Sequence, residues 1–379
     1  MNKLNKKLSV ITLAVLATFQ AQAEIRINGF ANLTAGITSS DETLYGYDDS
    51  IGFASQSLFA IQVSGDISDK VTATGQIVAR GDNDYAADFE WAYFTYEAAD
   101  NISMSAGRLR APLFRYSASS DVAYSYHWVV APQSVYDVPF NNIDGIRVDY
   151  SGYTGDLEYT FQLTAGRIES DFILSGATAS LTVDNTVGLS GDFVYNNWKF
   201  RGVYLTGKTT FDIPDLEPTF GLLSQLSADL SEQLRAKDDT GVFYGGSIEY
   251  DAFDWFVAGE YTAVEVENSF YPDEVNYYVT AGFRTGKWTP FVTYEKSDLN
   301  NTPKFLSDIS GLPAAFQPGA TQIVVGTQQL AVSENNTISV GTRYELETNI
   351  ALKADVVKQS DDIGELDSTL IRFAVNYVF

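Results

Sequence analysis

The sequence predicts an all-β protein, a transmembrane antiparallel β-barrel of about 16 strands, and three observations lead to this prediction. Many segments alternate strictly between apolar and polar residues, as Leu157–Ala165 and Ile371–Phe379 do. About sixteen such segments follow one another, joined by connections that are alternately short and long. Each segment has about 10 to 13 residues, which is long for a soluble sandwich and suits a tilted membrane crossing.

The positions of the strands follow from this period of two, which gives every strand one apolar face and one polar face. The first eight are expected at 25–37, 56–67, 70–81, 88–98, 101–110, 143–152, 155–168 and 184–195. The second eight are expected at 198–210, 240–251, 253–266, 274–285, 287–297, 335–346, 349–360 and 367–379. Their number is even, as expected for a transmembrane barrel.

The connections separate a membrane barrel from its main competitor, a secreted soluble β-sandwich or solenoid, which also has alternating strands. The short turns are Ser68-Asp69, Ala99-Asp100, Tyr153-Thr154, Asn196-Asn197, Ala252, Gly286 and Glu347-Thr348. The long loops are 38–55, 82–87, 111–142, 169–183, 211–239, 267–273, 298–334 and 361–366. A membrane barrel places all of its long loops on one rim, whereas a sandwich has no reason to do so.

Charged residues fall on the polar face of the strands, which predicts a wet interior. A charge that faces lipid at the middle of the membrane would cost about 2–4 kcal/mol. Sixteen strands enclose a space wide enough for an aqueous channel. The predicted interior cations are Arg80, Arg147, Lys199, Arg201, Arg284, Arg343, Lys353 and Arg372, and the predicted interior anions are Asp149, Glu158, Asp192, Glu249, Glu260, Glu295, Glu345 and Asp355.

Aromatic residues on the apolar face lie near the strand ends, as in the aromatic girdles of membrane proteins. They are Trp91, Tyr96, Tyr150, Tyr195, Trp198, Tyr250, Trp255, Trp288, Tyr294 and Phe379.

The first residues predict export. Three lysines precede an apolar run from Leu8 to Phe19, which leads to Ala21-Gln22-Ala23. This is the layout of a secretory signal peptide, and the apolar run is too short to cross a bilayer comfortably as a helix. We expect a signal peptide at 1–23 that is removed, and one barrel domain at 24–379.

Composition excludes several functions. The chain has no cysteine, one histidine and a formal net charge of −25, so it lacks thiol chemistry and repels nucleic acid. An outer-membrane lipase would have to use His127, around which no nucleophile motif occurs. The sequence therefore predicts no enzymatic activity, no cofactor, no bound metal and no nucleic-acid partner.

Three local features resemble the Gram-negative trimeric outer-membrane porins of the general diffusion type. The opening strand contains Ile27–Leu33, the run Gly107–Arg110 leads into a very long third loop, and the last residue is Phe379. The resemblance implies a homotrimer in the bacterial outer membrane, in contact with lipid and lipopolysaccharide. It also implies that Phe379 is the assembly signal read by the barrel-assembly machinery, and that the long third loop folds into the pore.

The resemblance further implies a water-filled channel for the passive diffusion of small hydrophilic solutes and ions. Two alternatives stay open: a channel selective for a sugar or an organic acid that binds at the third loop, and a structural or adhesive barrel without conductance. Ion preference is also open, because interior arginines and acidic long loops act in opposite directions.

The resemblance also provides candidate residues for a pore constriction. In this family an acidic third loop faces arginines on the wall, and the resulting transverse field favours polar solutes. The match is partial, since the loop carries only Asp121 and Asp137, with Asp144 just beyond it. The candidate arginines are Arg80, Arg108, Arg110, Arg115, Arg147 and Arg372.

Two further expectations concern packing. Ser103, Ser105 and Gly107 share one face of their strand, which predicts either a subunit interface on the outer surface or a bulge that changes the phase. The first strand carries similarly small residues. Leucines at helical spacing within 218–235 predict a short helix on the fifth long loop.

Overall fold

The computed structural model describes residues 24–39, 43–363 and 366–379, with the backbone alone at residue 366. The signal peptide expected at 1–23 lies outside the described residues, as do parts of the first and last long loops. The described helices include none that is both long enough and apolar enough to cross a membrane.

Sixteen antiparallel strands close into one barrel, in which each strand pairs with its neighbours in sequence and β16 pairs with β1. The first eight strands are β1 (Ile25–Thr38), β2 (Leu58–Ser68), β3 (Val71–Arg80), β4 (Ala87–Ala99), β5 (Ile102–Arg110), β6 (Asn142–Thr154), β7 (Leu157–Leu174) and β8 (Ala177–Tyr195). The others are β9 (Trp198–Asp212), β10 (Asp239–Asp251), β11 (Trp255–Val266), β12 (Glu274–Phe283), β13 (Trp288–Leu299), β14 (Ser333–Glu347), β15 (Ile350–Asp361) and β16 (Leu366–Val378). The predicted fold class is confirmed.

One rim, the short-turn rim, carries both chain ends of the barrel and turns such as 155–156 and 196–197. The opposite rim, the long-loop rim, carries the longer connections. The predicted loop at 169–183 is wrong, because β7 and β8 continue as a hairpin that turns at Ser175-Gly176. This extension is stabilised by apolar contacts: Phe172 packs on Phe211, with ring centroids 6.3 Å apart.

Among the described residues, short α-helices lie in three of the long loops. The third loop (111–141) contains α1 (Gln133–Tyr136), and the fifth loop (213–238) contains α2 (Glu217–Leu226) and α3 (Ala228–Leu234). The predicted helix over 218–235 is thus two helices, separated at Ser227, whose hydroxyl caps α3 by accepting from the Leu230 N–H. The seventh loop (300–332) contains α4 (Leu306–Ser310) and α5 (Gln317–Gln328), which the sequence analysis did not predict.

The two faces of the strands differ as the alternation predicts. On the outer face, Leu163, Val340 and Phe373 expose 52%, 57% and 61% of their surface. On the inner face, Thr164 and Arg372 are buried. A closed barrel with this outer surface satisfies its backbone polar groups internally, which lipid requires.

Most of the predicted aromatic residues lie on the outer surface. Trp198, Tyr250 and Trp255 form a continuous contact near the short-turn rim, with ring centroids 4.7 and 5.3 Å apart. Trp91 is the exception. A bulge between β3 and β4 at Gln76/Ile77 leaves Trp91 opposite the inward-facing Gln76, and the Arg110 guanidinium lies 5.8 Å from its ring.

The small-residue face of β5 lies inside the barrel. The Ser105 hydroxyl is 2.9 Å from the Thr95 hydroxyl, and Ser105 is buried. Met104, on the opposite face, is exposed on the outer surface. The predicted subunit interface on Ser103, Ser105 and Gly107 is therefore wrong, because β5 alternates normally up to Arg108, with Met104 and Ala106 outside.

Candidate pore constriction

The third loop enters the barrel because β5 leaves the wall early. Pairing between β4 and β5 ends at Ala92 and Arg108, although β5 continues to Arg110 along β6. Gly107 precedes this point with φ of +135°, and a Cβ there would lie 2.3 Å from the Ala92 carbonyl oxygen. Only glycine fits this backbone. The chain is then free to turn inward at Ala111.

An apolar cluster fixes the third loop against the inner wall of the barrel. Buried loop residues such as Leu113, Phe114 and Trp128 pack with the inward-facing Phe243 and Tyr278. The Trp128 indole N–H also donates to Thr293 Oγ1 at 2.8 Å. This side of the lumen is therefore packed with side chains rather than filled with water.

Carboxylates on the wall accept hydrogen bonds from backbone N–H and side-chain hydroxyl groups of the loop. Glu260 on β11 accepts from the Arg115 N–H at 2.8 Å and from the Tyr136 hydroxyl at 2.6 Å. Glu295 on β13 accepts from the N–H and the hydroxyl of Ser134 at 3.2 and 3.0 Å. Hydrogen bonds to charged groups are stronger than those between neutral groups. Glu260 and Glu295 therefore anchor the loop at Arg115 and at Ser134–Tyr136.

Cations on the wall anchor the middle of the loop through its carbonyl groups. Lys353 on β15 donates to the carbonyl oxygens of Ala123 and Trp128, both at 2.6 Å. Arg343 on β14 donates to the carbonyl oxygens of Tyr124 and Tyr126. Lys353 and Arg343 are thus bound to the loop.

An ion-pair cluster of four side chains joins the loop to the opposite wall. Arg80 pairs with Asp121 at 2.8 Å and with Glu90 at 2.7 Å. Arg110 pairs with the same two carboxylates, with Glu90 at 2.5 Å and with Asp121 at 3.0 Å. Asn32 on β1 adds a hydrogen bond from its amide to the Asp121 carbonyl oxygen at 2.6 Å. The third loop therefore reaches both sides of the barrel.

Asp121 is the only loop residue in this cluster, and its carboxylate is stabilised in the ionised form. Burial acts to raise its pKa, but the positive charges of Arg110 and Arg80 outweigh burial and hold the pKa below its usual value. The carboxylate touches both guanidinium groups. At this point loop and wall charges are in direct contact, with no water-filled gap between them.

A polar cavity of about 250 Å3 remains between the third loop and strands β1 to β3. Its charged lining consists of Arg80, Asp82, Asp121 and Asp137. Among the described residues, the carboxylates of Asp82 and Asp137 have neither an ion-pair nor a hydrogen-bond partner, unlike that of Asp121. This cavity is the open space that remains beside the third loop at the candidate constriction.

The structure brings together some of the residues predicted for the pore constriction. Arg80, Arg110 and Asp121 form the ion-pair cluster, and Asp137 lines the polar cavity with two of them. The other three that face the interior each pair elsewhere: Arg115 with Glu249, Arg147 with Asp149 at 2.8 Å, and Arg372 with Asp355 at 2.7 Å. Arg372 still contacts the site indirectly, because it donates to Gln56, which donates to Gln133 of the loop.

Arg108 and Asp144 lie outside the ion-pair cluster, although Arg108 lines an adjoining cavity with Arg80 and Glu90. Their backbones lie opposite each other in the register of β5 and β6, in the same outward phase as the exposed Met104 and Ile146. Both side chains are exposed on the outer surface. Alternation from Met104 gives this orientation for Arg108 but also for Arg110, which turns inward at the end of β5, so alternation alone does not separate the two arginines.

Glu90 is the member of the ion-pair cluster that the sequence analysis missed. It lies in the bulge of β4, next to Trp91, and both side chains turn inward. A bulge places two neighbouring residues on one face, and no pattern in the sequence indicates it.

His127 lies in an aromatic environment. Its ring is 4.0 Å from that of Trp128 and 4.6 Å from that of Phe256, and Nε2 is 3.1 Å from Thr280 Oγ1. Burial, reinforced by Lys353 and other nearby cations, holds the pKa of His127 well below its usual value. Its contacts are those of a neutral packed side chain.

No protein-family model and no curated protein matches the chain, but solved structures match it along nearly its whole length. The outer membrane channel DcaP of Acinetobacter baumannii is 12% identical with a TM-score of 0.59, over 95% of this chain and 98% of that one. OmpF of Salmonella typhi is 14% identical with a TM-score of 0.58, over 94% and 97%. The anion-selective porin of Comamonas acidovorans is 11% identical with a TM-score of 0.57, over 94% and 100%.

The chain has the fold of the outer-membrane porins. Identities of this size establish the fold alone. The contacts around the third loop are those of this chain and do not depend on the comparison. Wall carboxylates, wall cations and an apolar cluster fix the loop on one side, and the polar cavity lies on the side that faces β1 to β3.

Proposed function

We propose that the protein is an outer-membrane porin whose water-filled channel lets small hydrophilic solutes and ions diffuse passively. The observation that carries this proposal is the polar cavity between the third loop and β1 to β3, inside a closed barrel with an apolar outer face. Charged and polar side chains line this cavity, so water and ions enter it at low cost.

The channel is narrow for a barrel of this size. Sixteen strands alone leave a wide aqueous space, but the third loop contacts β1 and β3 on one side and β11 to β15 on the other. We therefore expect a small conductance, set by the polar cavity rather than by the diameter of the barrel.

The channel prefers cations. Asp121 and Arg80 neutralise each other within the ion-pair cluster, whereas Asp82 and Asp137 line the cavity without a cationic partner among the described residues. A narrow passage lined by unpaired carboxylates concentrates cations and repels anions.

The remaining parts of the proposal concern export and assembly. The signal peptide at 1–23 is removed, and 24–379 forms a single barrel domain in the bacterial outer membrane, in contact with lipid and lipopolysaccharide. The barrel assembles as a homotrimer, and a trimer form is known for the matched OmpT of Vibrio cholerae, which is 10% identical to this chain. Phe379 is the signal for the barrel-assembly machinery. No catalytic step is proposed.

Planar bilayers test this proposal. Purified protein inserted into a bilayer conducts in steps of three, and the reversal potential under a salt gradient shows a preference for cations. Asp82→Asn lowers that preference, whereas Asp171→Asn, on the exposed face of β7, leaves it unchanged. A barrel that inserts without conductance contradicts the proposal and favours a structural or adhesive role.

A substrate-selective channel is the second candidate, favoured by an apolar pocket beside the third loop. Saturation of the current by one solute distinguishes it from general diffusion.

A further inference from the structure

A second cavity of about 330 Å3 lies on the side of the third loop away from the polar cavity. Its wall combines Val138 and Phe140 of the loop with Phe172, Leu181 and Leu205 of β7 to β9. These are inward-facing strand positions, where water-filled barrels carry polar residues. The volume is within the range of about 300–1,000 Å3 that small-molecule sites occupy.

The charged residues of this apolar pocket are both acids. Of its described lining residues, Asp137 and Glu274 carry charge, and no lysine or arginine is among them. Glu274 accepts hydrogen bonds from the Tyr271 hydroxyl at 2.7 Å and from the Asn276 amide at 2.5 Å. Asp137 has no such partner among the described residues. An apolar wall with a free carboxylate is complementary to an organic cation.

Asp137 also connects the two cavities, because it lines both of them. Tyr136 borders the polar cavity just before it, and Val138 borders the apolar pocket just after it. A solute whose apolar body occupies the pocket therefore places its cationic group at the opening of the polar passage.

We propose that the apolar pocket is a binding site for amphipathic organic cations, small molecules with an aromatic or alkyl body and one ammonium group. Asp137 binds the ammonium group, and Val138, Phe140 and the inward residues of β7 to β11 bind the body. This inference rests on the proposed channel, since the bound solute stands at the entrance of the polar passage.

Calorimetry on the full-length protein in detergent measures binding independently of conductance. The probes are phenylpropyltrimethylammonium, tetramethylammonium, which lacks the body, and phenylbutyrate, which reverses the charge. We expect the first to bind at least about tenfold more tightly than the other two. Asp137→Asn weakens its binding about tenfold, whereas Asp171→Asn, on the outer face of β7, leaves it unchanged.

Val264→Trp tests the apolar body of the ligand, because Val264 lines the pocket and the larger ring fills it. It abolishes binding of the aromatic cation, and Val257→Trp, on the outward face of the same strand, does not. Equal binding of all three probes, or unchanged binding by Asp137→Asn, overturns the inference even if Val264→Trp fails to fold. Binding without any current overturns the proposed channel and leaves the binding site intact.

Discussion

At the scale of single residues, the constriction depends on charged side chains that form ion pairs with one another. Asp121 accepts from Arg80 and Arg110, and Glu90 accepts from the same two arginines, so the cluster is neutral. Asp121 is the member that belongs to the loop. Its loss leaves the buried Arg110 and the partly exposed Arg80 with one carboxylate. Breaking a fully buried pair costs about 3–5 kcal/mol, and the exposure of Arg80 makes the cost smaller here.

Asp121→Asn is therefore expected to free this side of the third loop. The single-channel conductance rises and the cation preference falls, because the cluster gains one net positive charge. Recordings in planar bilayers measure both quantities. Asp82→Asn is the matched control: it removes a carboxylate from the same cavity but breaks no ion pair, so it lowers the cation preference without raising the conductance.

The pH dependence of the conductance checks the same ion pairs. The pKa of Asp121 lies below its usual value of 3.8 in the folded protein, so its contribution to stability is complete above pH 3.8 and is lost as pH falls below that value. As pH falls, the cation preference weakens first, because burial and the neighbouring Asp82 raise the pKa of Asp137 above its usual value. The conductance rises only as pH falls below about 3.8, when Asp121 is protonated. His127 is held neutral and adds no transition near pH 6.5. A transition near pH 6.5, or an acid rise in conductance that persists in Asp121→Asn, would contradict this account.

At the scale of elements, the third loop is held by charged wall side chains that form hydrogen bonds with it. Lys353 contributes two of these bonds from a buried position, and its ammonium group lies 4.7 Å from the Tyr126 ring. Each hydrogen bond from a charged group contributes about 1.5–3 kcal/mol. The loop is thus held as a rigid part of the barrel.

Lys353→Met is expected to loosen the middle of the loop, because the carbonyl groups of Ala123 and Trp128 lose their donor. Single-channel recordings then show a larger mean conductance and more current noise. Lys358→Met makes the same change on the same strand, at an exposed side chain that pairs with Asp367, and leaves both quantities unchanged. A quiet current of native size in Lys353→Met would show that the apolar cluster alone fixes the loop.

The sequence predicts the elements better than the contacts between them. A period of two locates all sixteen strands, because lipid outside and water inside impose it on every residue. It fails at 169–183, where the strands extend above the barrel and pack on the fifth loop instead of on lipid. Arg80, Arg110 and Asp121 are found from the resemblance, whereas Glu90 depends on a bulge that no local pattern encodes.

At the scale of the whole molecule, closure of the barrel depends on the contact between its two ends. Gly29 and Phe379 exchange two backbone hydrogen bonds, both of 2.9 Å. The Phe379 ring stacks on Phe59 and Tyr377, with centroids 6.2 and 5.4 Å apart. A Cβ at Gly29 would lie 2.2 Å from this ring, so only glycine leaves room for it. Phe379 therefore has a packing role besides its proposed role as an assembly signal.

Two substitutions separate these roles. Gly29→Val displaces the ring but keeps Phe379 in the sequence, and Phe379→Ala removes both. Each ring contact contributes about 0.5–1.5 kcal/mol, so both variants unfold at a lower temperature in detergent. Only Phe379→Ala also strongly reduces the amount of protein in the outer membrane of cells, and Phe379→Tyr retains both properties. If Gly29→Val reduces the cellular amount as much as Phe379→Ala does, packing at the seam explains assembly, and a separate signal is unnecessary.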